Sequence, residues 1–65
     1  MKLNLKQARR LKDKTQEEMA QLLEVHIQTY RKIEENPDLA TVGQAKRISD
    51  FLEIPYDEIF FDLEV

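Results

Sequence analysis

Residues 16–34 read QEEMAQLLEVHIQTYRKIE, and the apolar positions in this stretch decide the fold. They are Met19, Leu23, Val25, Tyr30 and Ile33, with Ala20 directly after the first. Residues four apart share a helix face, so Met19 and Leu23 lie together on one helix. Val25 follows a break in that rhythm. Tyr30 and Ile33, three apart, belong to one face of a second helix. Two short helices crossing at a steep angle bury all five side chains together. Ala20 then stands where the helices come closest, and a larger side chain there would wedge them apart.

Local signals bound both helices. Thr15 is a good N-cap, and Glu18 three residues later completes a capping box, which predicts a helix over 16–23. Glu24, Val25 and His26 make the turn. The next helix covers Ile27 to Glu35 and ends at Asn36, before Pro37, where helical continuation is disfavoured. Such a pair is a helix-turn-helix, whose second helix can lie in the DNA major groove. DNA binding is therefore the leading functional reading.

The remainder of the chain supplies more helices. A first one runs from Asn4, its N-cap, to Lys12, with Leu5, Ala8 and Leu11 or Lys12 along its inner edge. Pro37 to Ala40 form a loop. Thr41 caps a fourth helix in which Val42, Ala45, Ile48 and Leu52 recur at three- and four-residue intervals. Gly43 inside it costs about 1 kcal/mol relative to Ala. Ile54 and Pro55 turn the chain into a short fifth helix over 56–60, where Asp57 and Glu58 suit a helix start. The tail from Phe61 to Val65 alternates apolar and acidic residues, a strand period. The expected architecture is all-α, a compact bundle of five helices.

Composition narrows the class. The 65 residues form a single domain, since so short a chain cannot enclose two cores. A domain of this size buries roughly 60% of the surface its unfolded chain exposes, so stability is modest. Without Cys there is no disulfide and no thiolate-bound zinc, and a single His, His26, has no partner for a metal. No apolar run spans a bilayer and the first residues lack a secretory signal's apolar stretch, which predicts a cytoplasmic protein. Net charge is −3, the wrong sign for a simple nucleic-acid binder, but its distribution is uneven. Residues 1–34 carry eight Lys or Arg against five acids, whereas residues 35–65 carry eight acids against Lys46 and Arg47. Such a chain can meet phosphate with one face and stay soluble through an acidic back. Scattered charge on an ordinary acidic domain is the plain alternative. Enzymatic readings find no support: Ser49 is the only Ser, Cys is absent, no Gly-rich phosphate loop occurs, and no cofactor is implied.

The stretches Leu5 to Arg9, Thr15 to Ala20, Val25 to Glu34 and Ile48 to Phe60 together resemble the Cro/repressor, or XRE-type, helix-turn-helix family. The resemblance covers nearly all of the chain, from about Leu5 to Phe60. It implies a five-helix phage-repressor-like domain with helices 2 and 3 as the DNA-reading unit. It also implies that Gln16 caps helix 2 and touches a phosphate while bracing helix 3. Ile27, Gln28 and Lys32 match positions that face base edges, and Arg9 and Glu34 match an internal salt bridge between helices 1 and 3. The chain departs from the family at three turns, where Gly is usual and Asp13, Glu24 and Asn36 stand. Asp and Asn tolerate the left-handed conformation; Glu does so at a cost of about 1 kcal/mol.

Each candidate has a chemical role and a plainer alternative. The Gln28 amide can bond adenine N6 and N7 together, a pairing worth about 1–3 kcal/mol of discrimination; otherwise it is a solvated Gln. Lys32, four residues on, shares that face and can reach guanine or phosphate, and Arg31 beside it suits backbone phosphate; a solvated basic face is the alternative for both. Ile27 offers apolar contact to a thymine methyl or merely covers the turn. Thr29 can touch phosphate or face solvent. His26, where the family often has Ser or Thr, suits an N-cap or a phosphate contact. Gln16 and the first amides of helix 2 make a natural phosphate site. Asn36 with its loop, and the helix start at Thr41, can grip the second strand, and Lys6 and Arg10 are weaker phosphate candidates.

The functional expectation is a sequence-specific DNA-binding regulator, a repressor that occupies an operator of double-stranded DNA as a homodimer. One module covers only about 600–1,000 Å², too little for tight specific binding alone. Phe61, Leu63 and Val65 can pair with their counterparts as a strand ribbon, or form a frayed end. Two rivals keep the fold: a protein-interaction module, antitoxin-like or anti-repressor, that binds through the acidic half, and an architectural domain that binds duplex without sequence preference.

Overall fold

The computed structural model describes residues 4–60. Five α-helices follow in order: α1 Leu5–Leu11, α2 Gln16–Leu23, α3 Ile27–Glu35, α4 Val42–Leu52 and α5 Tyr56–Phe60. No strand occurs among the described residues, and the alternating segment 61–65 lies outside them. A 3-10 turn, Pro37–Leu39, occupies the predicted loop. Asn36 Oδ1 accepts the Asp38 amide at 3.3 Å, and Pro37 at the first position has no N–H to satisfy.

Three helices start by the same reciprocal device. Asn4, Thr15 and Thr41 each accept the amide three residues on, from Gln7, Glu18 and Gln44, at 2.7–3.1 Å. The side chains of those same residues accept the cap amides in return at 2.8–3.0 Å. Two otherwise unpaired donors are thus satisfied at each helix start. At Glu18 the Thr15 amide holds the carboxyl below its ordinary pKa.

Three helix ends are equally alike. Asp13, Glu24 and Glu53 have φ of 58°, 58° and 57°, and none is Gly. The next amide in each case, from Lys14, Val25 and Ile54, returns to a carbonyl five residues back at 3.0–3.1 Å, closing the last turn. The strained Glu24 turn is as the sequence predicts. Asn36 differs: its φ of −140° lies outside the left-handed region, because α3 runs directly into the 3-10 turn instead of reversing.

The core draws on every helix: Leu5, Ala8, Met19, Ala20, Leu23, Tyr30, Ile33, Ala45, Ile48, Leu52, Ile54 and Ile59 are all buried. Val25 is half-buried against it. α2 packs against both α3 and α4, and α5 packs against α4 and α1. Two predicted inner positions lie outside. Leu11 is 65% exposed because Arg9, one turn on from Leu5, takes the inward place instead. Val42 is 62% exposed because the apolar face of α4 starts a turn later, at Ala45.

Candidate nucleic-acid interface

The helix 2–3 unit is set in place by a chain of polar contacts that starts in α1. Arg9 and Glu34 are both nearly buried, at 9% and 5% side-chain exposure, and pair at 2.5 Å. Arg9 also donates through Nη1 to the Lys14 carbonyl at 2.7 Å. The other oxygen of Glu34, Oε1, accepts from Gln16 Nε2 at 3.1 Å. Gln16 Oε1 in turn accepts from Arg31 Nε at 3.2 Å. Three helices are thereby tied together, Arg9 from α1, Gln16 from α2, and Glu34 and Arg31 from α3.

The local electrostatics follow from this geometry. Burial alone raises the Glu34 carboxyl. The donors from Arg9, Tyr30 and Gln16, with the Arg9 charge, outweigh that effect and hold it below its ordinary value. Tyr30 is fully buried, and its hydroxyl, close to Glu34, lacks a well-aligned hydrogen bond. Burial first, and the adjacent carboxylate second, push its pKa far above the usual phenol range. Arg9 is therefore matched by Glu34, whereas Arg31 and Lys32 are exposed.

α3 is two-faced. Tyr30 and Ile33 are 0% and 2% exposed, whereas Gln28, Thr29, Arg31 and Lys32 face solvent. Ile27 is half-buried at the start of the helix. Beside it lies a shallow cleft bordered by Arg9, Lys14, Thr15, Gln16, Glu17, Ile27 and Arg31, at the N-terminal end of α2. Thr15 already accepts the Glu18 amide there, and Glu17 and Glu18 set two carboxylates against the positive end of the helix dipole.

The remaining candidates are placed as follows. His26 holds the N-cap position of α3, but its side chain makes no capping bond and stands exposed. Thr15, not Gln16 as the resemblance implies, caps α2; Gln16 is the first helical residue, and its side chain braces α3 as the resemblance implies. Asn36 is exposed, with its carbonyl oxygen occupied by the Asp38 amide. Lys14 is a participant that sequence reasoning missed. Its carbonyl anchors Arg9 and its ammonium lies 4.9 Å from the centre of the Phe51 ring. Neither contact has a sequence signal, since the partners come from α1 and α4.

Among the described residues no helix is long and apolar enough to cross a membrane, and no group of three or more His, Asp or Glu could hold a metal ion. A family model described as helix-turn-helix matches residues 5–59. Searches among curated proteins and among solved structures found no match.

Proposed function

Because this chain belongs to the Cro/repressor, XRE-type helix-turn-helix family of DNA-binding regulators, we propose that it is a sequence-specific transcriptional repressor. It reads an operator with α3 in the major groove, as a single module spanning residues 1–65. The observation that carries the reading is the outer face of α3. Gln28, Thr29, Arg31 and Lys32 are free of protein cover while the opposite face is locked into the core. A major groove admits a helix of this kind. Gln28 is the base reader, through a bidentate bond to adenine, and Ile27 meets a thymine methyl. Lys32 reaches guanine or phosphate. His26, Thr29, Arg31 and Asn36 fix the register on the backbone, with Gln16 bracing Arg31.

The protein acts as a homodimer on a two-fold-related operator, with half-sites about one helical turn apart. Area supports this, since a single module of this kind covers about 600–1,000 Å² and specific affinity needs more.

Selection of bound sites from a random duplex pool, followed by binding at two salt concentrations, tests the proposal. A recovered two-fold symmetric sequence and an affinity that falls steeply with salt are expected, the latter through counterion release. Duplex binding without any sequence enrichment would make it an architectural domain. No duplex binding at either salt would favour the protein-interaction module instead.

A further inference from the structure

Gln16 spends its amide on both sides: Nε2 is given to Glu34 at 3.1 Å and Oε1 is taken by Arg31 Nε at 3.2 Å. A side chain so engaged behaves as a bracket. Glu34, the group it leans on, is itself pinned by buried Arg9, so the bracket is anchored in the core. At its outer end, Arg31 is exposed and gives its Nε–H to Gln16, a bond that does not use the four N–H donors of its two Nη groups. Arg31 borders the cleft at the start of α2, together with Lys14 and the carboxylate of Glu17. Planar guanidinium recognises phosphate through paired donors, and a guanidinium held in one orientation gives up less freedom on binding than a loose one.

On the DNA-binding reading above, we propose that Arg31 is the phosphate-binding group of this corner, and that Gln16 and Glu34 are positioning residues that aim it. The phosphate contact that the family resemblance places on Gln16 thus passes in this chain to Arg31. The relay runs from Arg9 through Glu34 and Gln16 to Arg31, and it couples the packing of α1 against α3 to the grip on the DNA backbone.

Phosphate contacts are independent of sequence, so a mixed-sequence duplex at low salt is a sufficient probe for the full chain. Arg31→Ala is expected to weaken binding and reduce the slope of log affinity against log salt by about one. Gln16→Met, which keeps the length and loses both hydrogen bonds, is expected to weaken binding about threefold to tenfold, the ordering cost of one long side chain, while keeping the slope. In an Arg31→Ala background Gln16→Met should then have no further effect. Additive losses in the double variant would overturn the relay, since Gln16 would be contacting DNA by itself. Arg31→Lys keeps the charge but has no Nε–H for Gln16; binding equal to the parent would also overturn it, whatever the folding of the Gln16 variant. A readout without DNA separates this proposal from the wider one. The Arg31 Nε–H resonance should exchange slowly with water in the parent and quickly in Gln16→Met; fast exchange in both means that no bracket exists, even if the duplex is bound. Parent protein that shows the slow resonance yet binds no duplex removes the DNA reading and the phosphate role with it.

Discussion

Where α1, α2 and α3 meet, a chain of polar, directional contacts adds to the apolar packing: Arg9 to Glu34, Glu34 to Gln16, Gln16 to Arg31. In α4 and α5 the buried side chains are almost all apolar. Ala45, Ile48, Leu52, Ile54 and Ile59 are buried while Asp50, Glu53 and Asp57 stay outside. Ser49 is buried there too, but it bonds the Lys46 carbonyl of its own helix at 3.0 Å and ties nothing together. Apolar burial depends on area and is indifferent to angle, whereas a hydrogen bond weakens steeply when misaligned. Both halves are held by apolar area, and α1, α2 and α3 add directional bonds that fix the angle between them.

The comparison predicts different failures on the two sides. Glu34→Ala should produce the largest loss of stability, about 3–5 kcal/mol, because it strands a buried Arg9 charge. Duplex affinity of the remaining folded protein should fall as well. Urea denaturation with a parallel binding titration reads both, and a loss below 1 kcal/mol would mean the pair is solvated. Leu52→Ala should cost about 2–5 kcal/mol through the cavity it leaves, yet leave the affinity of the folded fraction unchanged. A binding loss as large as that of Glu34→Ala would erase the division between the halves.

Acid should act on the polar corner first. The folded Glu34 carboxyl sits below its ordinary value of 4.5, so its contribution is complete above that pH and is lost as pH falls through the lower, folded value. Thermal unfolding of the parent should therefore weaken in that acid range, and Glu34→Gln should show a shallower acid limb. Equal acid limbs for both proteins would show that Glu34 is not the group being titrated.

Smaller and opposite in sign is the effect at the two left-handed Glu residues, one in each half. Glu24→Gly and Glu53→Gly should each stabilise by about 1 kcal/mol, since φ is 58° and 57° and Gly carries no steric penalty there. The Arg47–Glu24 pair lost in the first is 3.9 Å long and mostly exposed, so it subtracts little. Glu24→Gly should leave duplex binding intact. A lowered melting temperature for either variant would mean that the turn depends on the Glu side chain.

Much of this was legible in the residues. Thr15 with Glu18 marked the start of α2, Asn36-Pro37 marked the end of α3, and the spacing of Met19, Leu23, Tyr30 and Ile33 placed the buried faces. These signals are local, and local bonding fixes helix ends. The errors came at the end residues of an element, as at Leu11 and Val42, where the helical period continues but the core no longer reaches. Glu53 gave no warning of its left-handed turn, because the residue type argues against that conformation and only the returning Ile54 amide and the buried Ile54 side chain impose it. At the site, the outward set of Gln28, Thr29, Arg31 and Lys32 followed from the inward one.

Helix order, helix ends, the buried stripe and the family were determined by the chain's own residue pattern, since each depends on neighbours within about one turn. The resemblance implied that Gln16 braces α3, but which atoms of Gln16 and Arg31 meet which partners was decided only in the folded molecule. Their partners stand 18 and 15 residues away along the chain, at Glu34 and Gln16. Contacts over that separation exist only after α2 has crossed α3 and α1 has brought Arg9 against Glu34, and no periodicity in the sequence encodes which polar atom then meets which.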